Sequence, residues 1–394
     1  SLKTIRSHCE QVYSRISNSQ GKYFVLNNSA RKKINEFVIG VISTNYPDWN
    51  IPIHSRWRHF NLGGVDRINV LRRDLSHLDS KSINRCFFEL VVISVLLDAG
   101  AGSQWKYLDA SSGTVFKSSE GLAVASFEMF KSGVFSGGEP RTVTFKGLSN
   151  LTVNDLKKHM QCTDSNKLVG VESRVEILNR LGDILPKYLQ REGATNSDRL
   201  YGLWDLILSK SNHNKISCDE IVKTILDAFT GLWPQGYDFC NTNVGDVISY
   251  DPVQGLHNTD NLVPFHKLTQ WLVYSLLEPF AWEGVIVSNQ ELLTGLAEYR
   301  NGGLFVDLGL LVLKDDNNLG KKFHVTHELV CEWRPATVIL LDHLLEDVCQ
   351  TVGKKLSLGQ LLQGGTWAAG RKIAAKNRED AGPPIIVDTG GAVF

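Results

Sequence analysis

Carboxylates and arginines set in apolar or glycine-rich stretches are the residues of this sequence best suited to catalysis or ligand binding. A carboxylate shielded from water can act as a general acid or base, or stabilise an oxocarbenium-like centre. A guanidinium binds phosphate or another anion through a planar pair of donors. The acids are Asp98, Glu278, Glu298, Asp307 and Glu332, and the arginines are Arg56, Arg58, Arg300, Arg334 and Arg371. Together they favour a polar, phosphorylated small-molecule ligand, with ion pairs inside the protein as the competing interpretation.

The segment HSRWRHF, residues 54–60, is the densest group of such side chains. If this segment is extended, His54, Arg56 and Arg58 share one face, because side chains alternate along a strand. Their guanidinium forks would then suit a phosphate or a carboxylate. The alternative is a helix surface on which the arginines pair with acids.

Asp98 stands at the end of a predicted helix, residues 79–98, which becomes wholly apolar before it breaks at Gly100-Ala101-Gly102. A negative charge at the C-terminal end of a helix is disfavoured by the helix dipole. The position of Asp98 therefore indicates either a functional role or a buried partner.

The stretch 262–280 predicts a helix that is apolar on nearly every side and yet carries polar residues. Its apolar residues recur at helical spacing until Pro279, which is expected to end the helix. Buried polar groups are costly unless they are paired, so we interpret this helix as the floor of a pocket. His266 and Lys267 would face an anion at its N-terminal end. Ordinary helix ends exposed to water are the alternative.

Elements towards the C-terminus position the other candidates. Glu298, Tyr299 and Arg300 precede a predicted Gly-Gly turn and a strand-like run. The segment ELVCEWR, residues 328–334, alternates in the manner of a strand. Pro335 is expected to start a long helix that follows it.

Gly364-Gly365-Thr366 is predicted at the N-terminus of a last helix, residues 367–378, which carries Trp367 and Arg371. Backbone N–H groups there would suit the same anion. Tryptophans beside polar groups can stack on a base or a sugar, although large aromatic residues are more often part of a core. The tryptophans concerned are Trp57, Trp105, Trp271 and Trp367.

The charge balance argues against a nucleic-acid-binding protein. Basic and acidic residues each number 42 in a chain of 394, whereas nucleic-acid binding favours a basic surplus. Seven cysteines without a CxxC pair are typical of a reduced, cytoplasmic protein. The longest apolar run, residues 87–97, is too short to span a membrane. His324 and His327 lack a recognisable third ligand and no cofactor motif is present, so we expect neither a metal nor a cofactor.

The overall pattern predicts a mainly α protein with a few short strands and hairpins. Predicted helices cover 29–44, 152–160, 171–190, 198–209 and 217–230, and a hairpin joins 105–107 to 114–116. A Gly-, Ser- and Pro-rich stretch at 131–150 suggests three segments, 1–150, 151–235 and 236–394, with the first and third packing as one unit.

Eight motifs together resemble the uracil-catabolism protein-four family, also called the uracil-regulated family. They are HSRWRHF (54–60), LLDAGAG (96–102), SEGLAVASFEMF (119–130), VPFHKLTQWLVYSLLEPF (263–280), EYRNGGLFVDLGLL (298–311), ELVCEWR (328–334), GGTWAAGRKIA (364–374) and GGAVF (390–394). The resemblance implies a place in a route that degrades uracil through a nucleotide and a ribosylurea-type intermediate. It does not imply a particular reaction.

A second, more remote resemblance is to the queuosine-salvage nucleotide hydrolases. These have a helical, DNA-glycosylase-like fold of the helix-hairpin-helix type and cut an N-glycosidic bond. Asp98, Glu332 and Arg334 match that family's positions, whereas the Asp of its central helix motif meets Ser275 here. Identical catalysis is therefore not implied.

We accordingly expect an N-ribosyl hydrolase that acts on a phosphorylated ribosylurea or a related uracil-derived ribonucleotide. Asp98 and Glu332 are the predicted catalytic residues. The predicted substrate-binding residues are His54, Arg56, Arg58, Trp105, His266, Lys267, Trp271, Glu298, Tyr299, Arg300, Arg334, Trp367 and Arg371. An amidohydrolase acting on the ring-opened ureido compound and a non-catalytic nucleotide-binding protein are the alternatives, and the oligomeric state is left open.

Overall fold

Helices account for 55% of the structure and are accompanied by a few short strands. The mainly α fold predicted from the sequence is confirmed. The computed structural model describes residues 1–194, 197–234, 236–253 and 261–388, so the closing motif GGAVF lies outside the described residues. The DNA-glycosylase-like arrangement remains a prediction.

The helices follow one another along the whole described chain. They are α1 (Leu2–Ser17), α2 (Arg31–Asn45), α3 (Arg56–Phe60), α4 (Arg67–Asp74), α5 (Ser80–Leu96), α6 (Ser118–Ser132), α7 (Phe145–Ser149), α8 (Val153–His159), α9 (Val171–Arg191), α10 (Gly202–Ser209), α11 (Cys218–Ala228), α12 (Lys267–Trp282), α13 (Tyr299–Asp307), α14 (Glu328–Val352), α15 (Leu358–Leu361) and α16 (Trp367–Asn377). Among the described residues, none of these helices has the length and apolar character needed to cross a membrane.

The strands pair only two at a time within the described part of the chain. They are β1 (Phe24–Leu26), β2 (Lys106–Leu108), β3 (Val115–Lys117), β4 (Lys215–Ser217), β5 (Asp238–Phe239), β6 (Thr242–Asn243), β7 (Val247–Ser249), β8 (Leu262–Pro264), β9 (Ile286–Ser288), β10 (Leu311–Leu313), β11 (Lys322–His324) and β12 (Ile386–Asp388). The pairs β1–β10, β2–β3, β5–β6 and β7–β8 are antiparallel, and β4–β9 and β11–β12 are parallel. The hairpin expected at 105–116 is thus present as β2–β3.

The described chain forms two compact units. The first comprises the described residues of Ser1–His54, Asp246–Gln270 and Glu291–Asp388. The second comprises those of Ser55–Gly245 and Trp271–Gln290. The division into 1–150, 151–235 and 236–394 stays a prediction.

The core of the first unit is built around α14, against which α1 packs. The face of α1 that is buried carries Leu2, Ile5, Cys9, Val12 and Ile16, the spacing of an amphipathic helix. A second helix pair, α13 and α16, is joined at Gly370, where an added Cβ would lie 2.4 Å from the carbonyl oxygen of Arg300. Only glycine permits this approach of the two backbones.

The core of the second unit is built around α5, whose residues from Cys86 to Leu96 are all buried. Helix α6 packs against α5 and is itself apolar on almost every side. Helix α9 also contacts α5 and presents an amphipathic face to α7. The end of α5 is consequently enclosed by neighbouring elements, which fixes the position of the residues that follow it.

The segment ELVCEWR is helical, so its prediction as a strand is wrong. Helix α14 begins at Glu328, and Pro335 lies inside it. Every residue from Leu329 to Leu341 is buried. The segment therefore shows no alternation of apolar and polar residues at helical spacing, and periodicity alone cannot tell a short buried helix from a buried strand. A proline inside a helix lacks the N–H of one hydrogen bond, and its ring crowds the carbonyl four residues earlier. The burial of α14 on every side offsets this cost.

Three further predictions about helix ends and turns are also wrong. Pro279 lies inside α12, which continues to Trp282. The predicted Gly302-Gly303 turn is part of α13, because an added Cβ at Gly302 would lie 2.8 Å from Thr337 Oγ1 and helix packing requires glycine there. Ser288 and Glu291 have the spacing of a capping box, which predicts a short helix from Ser288 to Leu296, but the structure has only one 3₁₀ turn there, Gln290–Leu292.

Gly364-Gly365-Thr366 does not form a helix N-terminus. Helix α15 continues through a π-helical turn, Leu362–Thr366, directly into α16. The backbone N–H groups of these residues therefore bond to the preceding turn and are not presented to an anion. The predicted backbone anion site at this place is wrong.

Candidate functional site

Asp98 in the second unit follows α5 directly and is held on one side only. Its Oδ2 atom accepts hydrogen bonds from Arg56 Nη1 (2.9 Å) and Ser119 Oγ (2.7 Å). Among the described residues, no donor contacts its other oxygen, Oδ1. The Asp98 side chain is 12% exposed, whereas that of Arg56 is fully buried. The carboxylate is thus anchored by one oxygen and keeps the other available to a ligand or water.

Arg56 uses all three of its nitrogens on protein groups. Nε donates to Ser94 Oγ (2.7 Å), Nη2 donates to the Ser94 carbonyl (3.2 Å), and Nη1 also contacts the hydroxyl and carbonyl of Ser119, each at 3.0 Å. Burial lowers the pKa of Arg56, and the charge of Asp98 opposes that shift. Arg56 therefore holds Asp98 and Ser119 in place.

The arginines of HSRWRHF do not share a face, because residues 56–60 form the helix α3. Two residues along a helix lie about 200° apart. Arg58 consequently points elsewhere and pairs with Glu278, which also accepts a hydrogen bond from Ser55 Oγ (2.7 Å). The extended interpretation of this segment is wrong, and its arginines pair with acids, as the alternative held.

A second buried guanidinium, Arg174, closes the end of α5. It donates to the carbonyl groups of Leu97 (3.1 Å), Ala99 (3.0 Å) and Gly100 (3.3 Å). Burial lowers its pKa to about 10, and the negative charge of Asp98 works in the opposite direction. The carbonyl groups at the end of α5 have no partner within the helix, and the Arg174 guanidinium donates hydrogen bonds to them instead. Asp98 lies between Leu97 and Ala99, whose carbonyl groups Arg174 binds, so its position is fixed.

His59, Ser94 and Ser119 belong to this cluster but were not predicted from the sequence. His59 lies one helical turn after Arg56, and its Nδ1 is 3.3 Å from Arg56 Nη1. Its ring centroid is 6.0 Å from that of Trp271. An i, i+3 interpretation of HSRWRHF would have found His59 beside Arg56.

Trp105 is fully buried in the second unit, and its indole N–H donates to the Met160 carbonyl (2.8 Å). An added Cβ at Gly121 would lie 2.9 Å from the Trp105 ring. Trp105 therefore packs in the core beneath α6.

Glu332 in the first unit is fully buried and has both oxygens occupied by protein donors. It accepts hydrogen bonds from the N–H groups of Lys22 (2.6 Å), Tyr23 (2.9 Å) and Phe24 (3.2 Å) and from Tyr250 Oη (2.7 Å). Burial and the charge of Glu332 raise the pKa of Tyr250. Glu332 thus fixes the chain ahead of β1.

Arg334 forms a buried, bidentate ion pair with Asp246, with both N–O distances at 2.8 Å. Its guanidinium lies 3.9 Å from the centroid of the Phe265 ring. Asp246 also accepts the N–H of Lys267 (3.0 Å) and so caps the first turn of α12. Burial alone would raise the pKa of Asp246, but Arg334 and the Lys267 N–H outweigh it and lower that pKa.

His266 precedes α12 with a positive φ of 44°. Burial lowers its pKa, and the nearby Asp246 opposes that shift. Its backbone N–H donates to the Asp246 carbonyl (3.2 Å). Asp246 therefore organises the whole entry to α12.

The Trp367 cluster gathers six of the predicted binding residues in the first unit: His54, Glu298, Tyr299, Arg300, Trp367 and Arg371. The guanidinium carbons of Arg300 and Arg371 lie 4.4 and 5.2 Å from the Trp367 ring centroid. Arg300 also lies 5.2 Å from the Tyr299 ring. His54 is 6.0 Å from Trp367 between ring centroids, and its Nδ1 is 2.9 Å from Gln363 Oε1.

Glu298 caps the helix that carries Arg300. Its oxygens accept the N–H groups of Arg300 (3.0 Å) and Asn301 (2.7 Å). Burial raises the pKa of Glu298, and the charges of Arg300 and Lys267 reduce that shift. A half-buried carboxyl group therefore lies beside the two arginines of the Trp367 cluster.

Comparison with known proteins places the chain in a family. A family model described as "Protein of unknown function (DUF1688)" matches residues 1–394. The chain belongs to this family. It is 37% identical over 407 residues to Protein urg3 of Schizosaccharomyces pombe, and 35% identical over 433 residues to Uracil catabolism protein 4 of Lachancea kluyveri. Each alignment covers 100% of this chain and 98% of the relative.

The resemblance to the uracil-catabolism protein-four family is confirmed by these two relatives. In this DUF1688 protein the predicted site residues fall into two groups. Arg56, Arg58, Asp98, Trp105 and Trp271 belong to the second unit, and His54, His266, Lys267, Glu298, Tyr299, Arg300, Glu332, Arg334, Trp367 and Arg371 belong to the first. Their roles as catalytic or binding residues stay predictions.

Proposed function

We propose that this protein acts in uracil catabolism, as a hydrolase of the N-glycosidic bond in a phosphorylated ribosylurea or a related uracil-derived ribonucleotide. The pathway is supported by the name of the Lachancea kluyveri relative, Uracil catabolism protein 4, and by an alignment that covers nearly the whole of both chains. The reaction is supported by the surroundings of Asp98.

The observation that carries the reaction is the one-sided anchoring of Asp98. Arg56 and Ser119 hold Oδ2, and Oδ1 has no donor among the described residues. Cleavage of an N-glycosidic bond builds positive charge on C1′ and O4′ of the ribose. A fixed carboxylate near that carbon stabilises the charge, and its open oxygen can take a proton from water.

In this mechanism the bond between C1′ and the urea nitrogen breaks, and the nitrogen keeps the electron pair. Water forms the new bond to C1′, and Asp98 Oδ1 removes its proton. The proton then passes to the departing nitrogen, so that the products are urea and ribose phosphate. Arg56 and Ser119 act as positioning residues, because their contacts fix which oxygen faces the ribose.

The test is an assay of urea release from phosphorylated ribosylurea by the purified full chain. Asp98→Asn is expected to lower kcat by about 100-fold or more, the usual contribution of a general base. Asp164→Asn, which alters an exposed carboxylate of the second unit, is the matched control and should keep full activity. Thermal melts must show both variants folded at the assay temperature.

Three outcomes of the same assay would overturn the proposal. Ammonia and carbon dioxide in place of urea would indicate cleavage of the ureido C–N bond. Binding of UMP without turnover of any ribosylurea would indicate a nucleotide-binding protein. Equal activity of Asp98→Asn and the native chain would remove Asp98 from the mechanism.

A further inference from the structure

Two buried serines of the second unit connect Arg56 to helix α6 by hydrogen bonds. Ser94 on α5 and Ser126 on α6 are both fully buried. The Ser94 Oγ atom lies 2.7 Å from Arg56 Nε and also 2.7 Å from Ser126 Oγ. Ser126 Oγ in turn lies 2.9 Å from the Ala123 carbonyl oxygen. These contacts form one continuous path from a backbone carbonyl of α6 to the guanidinium that holds Asp98.

The chemistry at the two ends of this path fixes the direction of every hydrogen bond on it. A guanidinium only donates, so the Arg56 Nε–H group donates to Ser94 Oγ. A carbonyl oxygen only accepts, so the single hydroxyl proton of Ser126 is donated to Ala123. Ser126 Oγ therefore accepts the hydrogen bond of the Ser94 hydroxyl. All three bonds run from Arg56 towards α6, and hydrogen bonds that run in one direction strengthen one another.

Helix α6 also reaches the carboxylate directly. Ser119, in its first turn, donates to Asp98 Oδ2 (2.7 Å). Ser119 and Ser126 are seven residues apart, which is about two helical turns, so both lie on one face of α6. One helix therefore sets both the direct contact to the carboxylate and the orientation of the guanidinium beside it.

We propose that Ser94 and Ser126 are positioning residues for Asp98, on which they act through Arg56. Ser94 supplies the acceptor that orients the guanidinium, and Ser126 keeps the Ser94 oxygen turned towards Arg56. Without Ser126 the Ser94 proton loses its acceptor on the path, because a guanidinium has none to offer. The Ser94 hydroxyl then rotates towards a carbonyl of its own helix. The role of the two serines in catalysis rests on the proposed function, whereas the hydrogen-bond path is measured without substrate.

The first measurement is hydrogen exchange of the Arg56 Nε–H group, followed by NMR in the full chain with isotope-labelled arginine. The signal is identified by its absence in Arg56→Lys. Exchange should be slow in the native chain, because the group is buried and hydrogen-bonded. Ser94→Ala and Ser126→Ala should each speed it about threefold or more, the effect of losing one hydrogen bond. Ser126→Cys, which keeps the size of serine but bonds weakly, should give an intermediate rate.

The second measurement is urea release from phosphorylated ribosylurea by the same variants. Ser94→Ala should lower kcat about tenfold or more, because it leaves a charged donor unpaired, and Ser126→Ala should lower kcat about three- to tenfold. KM should change little, because both serines are buried and act on the orientation of Asp98. The double variant should lose no more than Ser94→Ala alone, because the two serines act in series.

Ser132→Ala is the matched control for both measurements. Ser132 also lies on α6, and its hydroxyl also donates to a carbonyl three residues earlier, that of Met129 (2.8 Å). The substitution removes the same kind of bond away from the path, so exchange and kcat should match those of the native chain. Thermal melts must show every variant folded at the assay temperature.

Native exchange of the Arg56 Nε–H group in Ser126→Ala would overturn the proposal, and so would equally fast exchange in Ser132→Ala. Additive losses of kcat in the double variant would also overturn it, because they would indicate two independent packing defects. Faster exchange in both serine variants with full activity of Asp98→Asn would contradict the proposed reaction and support the hydrogen-bond path. Native exchange in both, with an inactive Asp98→Asn, would do the reverse.

Discussion

At the scale of single residues, the buried charges of the described chain separate into fully paired anchors and carboxylates held by one oxygen, such as Asp98 and the more deeply buried Asp109. Glu332 and Arg334 each satisfy their charged atoms with protein partners. Asp98 differs because only one of its oxygens is used. A carboxylate that is held in place by one oxygen can accept a hydrogen bond from a substrate or water on its other oxygen.

The ion pair between Asp246 and Arg334 predicts a stability effect. Asp246→Asn should lower the free energy of unfolding by about 3–5 kcal/mol, because it leaves a buried guanidinium without its partner. The double variant Asp246→Asn/Arg334→Met should recover much of that loss. Urea titrations at pH 7 measure both values, and a single variant as stable as the native chain would contradict the role of the pair.

The same pair predicts a pH dependence. The pKa of Asp246 is lowered from its ordinary value of 3.8 in the folded chain. The carboxylate therefore contributes stability that is fully present above pH 3.8 and is lost as the pH falls through the folded-state pKa. Unfolding experiments between pH 7 and pH 2.5 should show a smaller acid-induced loss in Asp246→Asn than in the native chain, and equal losses would refute this assignment.

At the scale of elements, the sequence predicted a helix correctly where a capping residue was followed by a long apolar run. The helix ending near Asp98 was predicted at 79–98 and is Ser80–Leu96, because Asp79 caps it and an apolar run fills it. Helix α3 was only the alternative interpretation of its segment, because five residues carry too little periodicity to favour a helix over an extended chain. The segment 328–334 failed because burial on every side erases the helical pattern.

The site was accessible from the sequence only in part. Residue types pointed to Asp98 and Arg56, but their mutual contact depends on α3 being helical. Ser119 carries no sequence signal of its own, and the spacing of His59 from Arg56 is a signal only if residues 56–60 are taken as a helix. Long-range packing brings Ser119 to Asp98, and no local pattern of a single sequence encodes that arrangement.

The approach of α13 to α16 predicts opposite effects for two glycine substitutions. Gly370→Ala places a Cβ 2.4 Å from the Arg300 carbonyl oxygen, so it should destabilise the chain by about 1–3 kcal/mol through overpacking. Gly40→Ala in α2, where nothing lies within 4 Å of the added Cβ, should stabilise it by about 0.5–1 kcal/mol. Thermal or urea unfolding measures both, and equal effects would contradict the packing of these helices.

At the scale of the whole molecule, charge and thiol exposure set how the protein behaves in solution. The formal net charge is zero, so long-range attraction to nucleic acid or anionic surfaces is not expected from the chain as a whole. None of the seven cysteines is in a disulfide within the described chain, and Cys240 alone among them is exposed. Burial raises the pKa of Cys331 to about 12, which suppresses the reactive thiolate.

Thiol titration follows directly from this distribution. The native chain should show one rapidly reacting thiol, and Cys240→Ser should abolish that phase. The half-buried Cys162 and Cys349 should react slowly, and all seven thiols should react in denaturant. Several rapid thiols in the native chain would contradict the described burial.

The π-helical turn Leu362–Thr366 has a consequence for the geometry of the Trp367 cluster. A π-turn accommodates one more residue than an α-helical path would, which changes the rotational phase of everything after it by about 100°. Trp367 and Arg371 follow the turn, and Gln363, the partner of His54, lies inside it. Deleting Gly365 would restore an unbroken α-helix and turn Trp367 and Arg371 away from Arg300. The one extra residue in this turn therefore determines whether Trp367 and Arg371 lie on the side of the helix that faces Arg300.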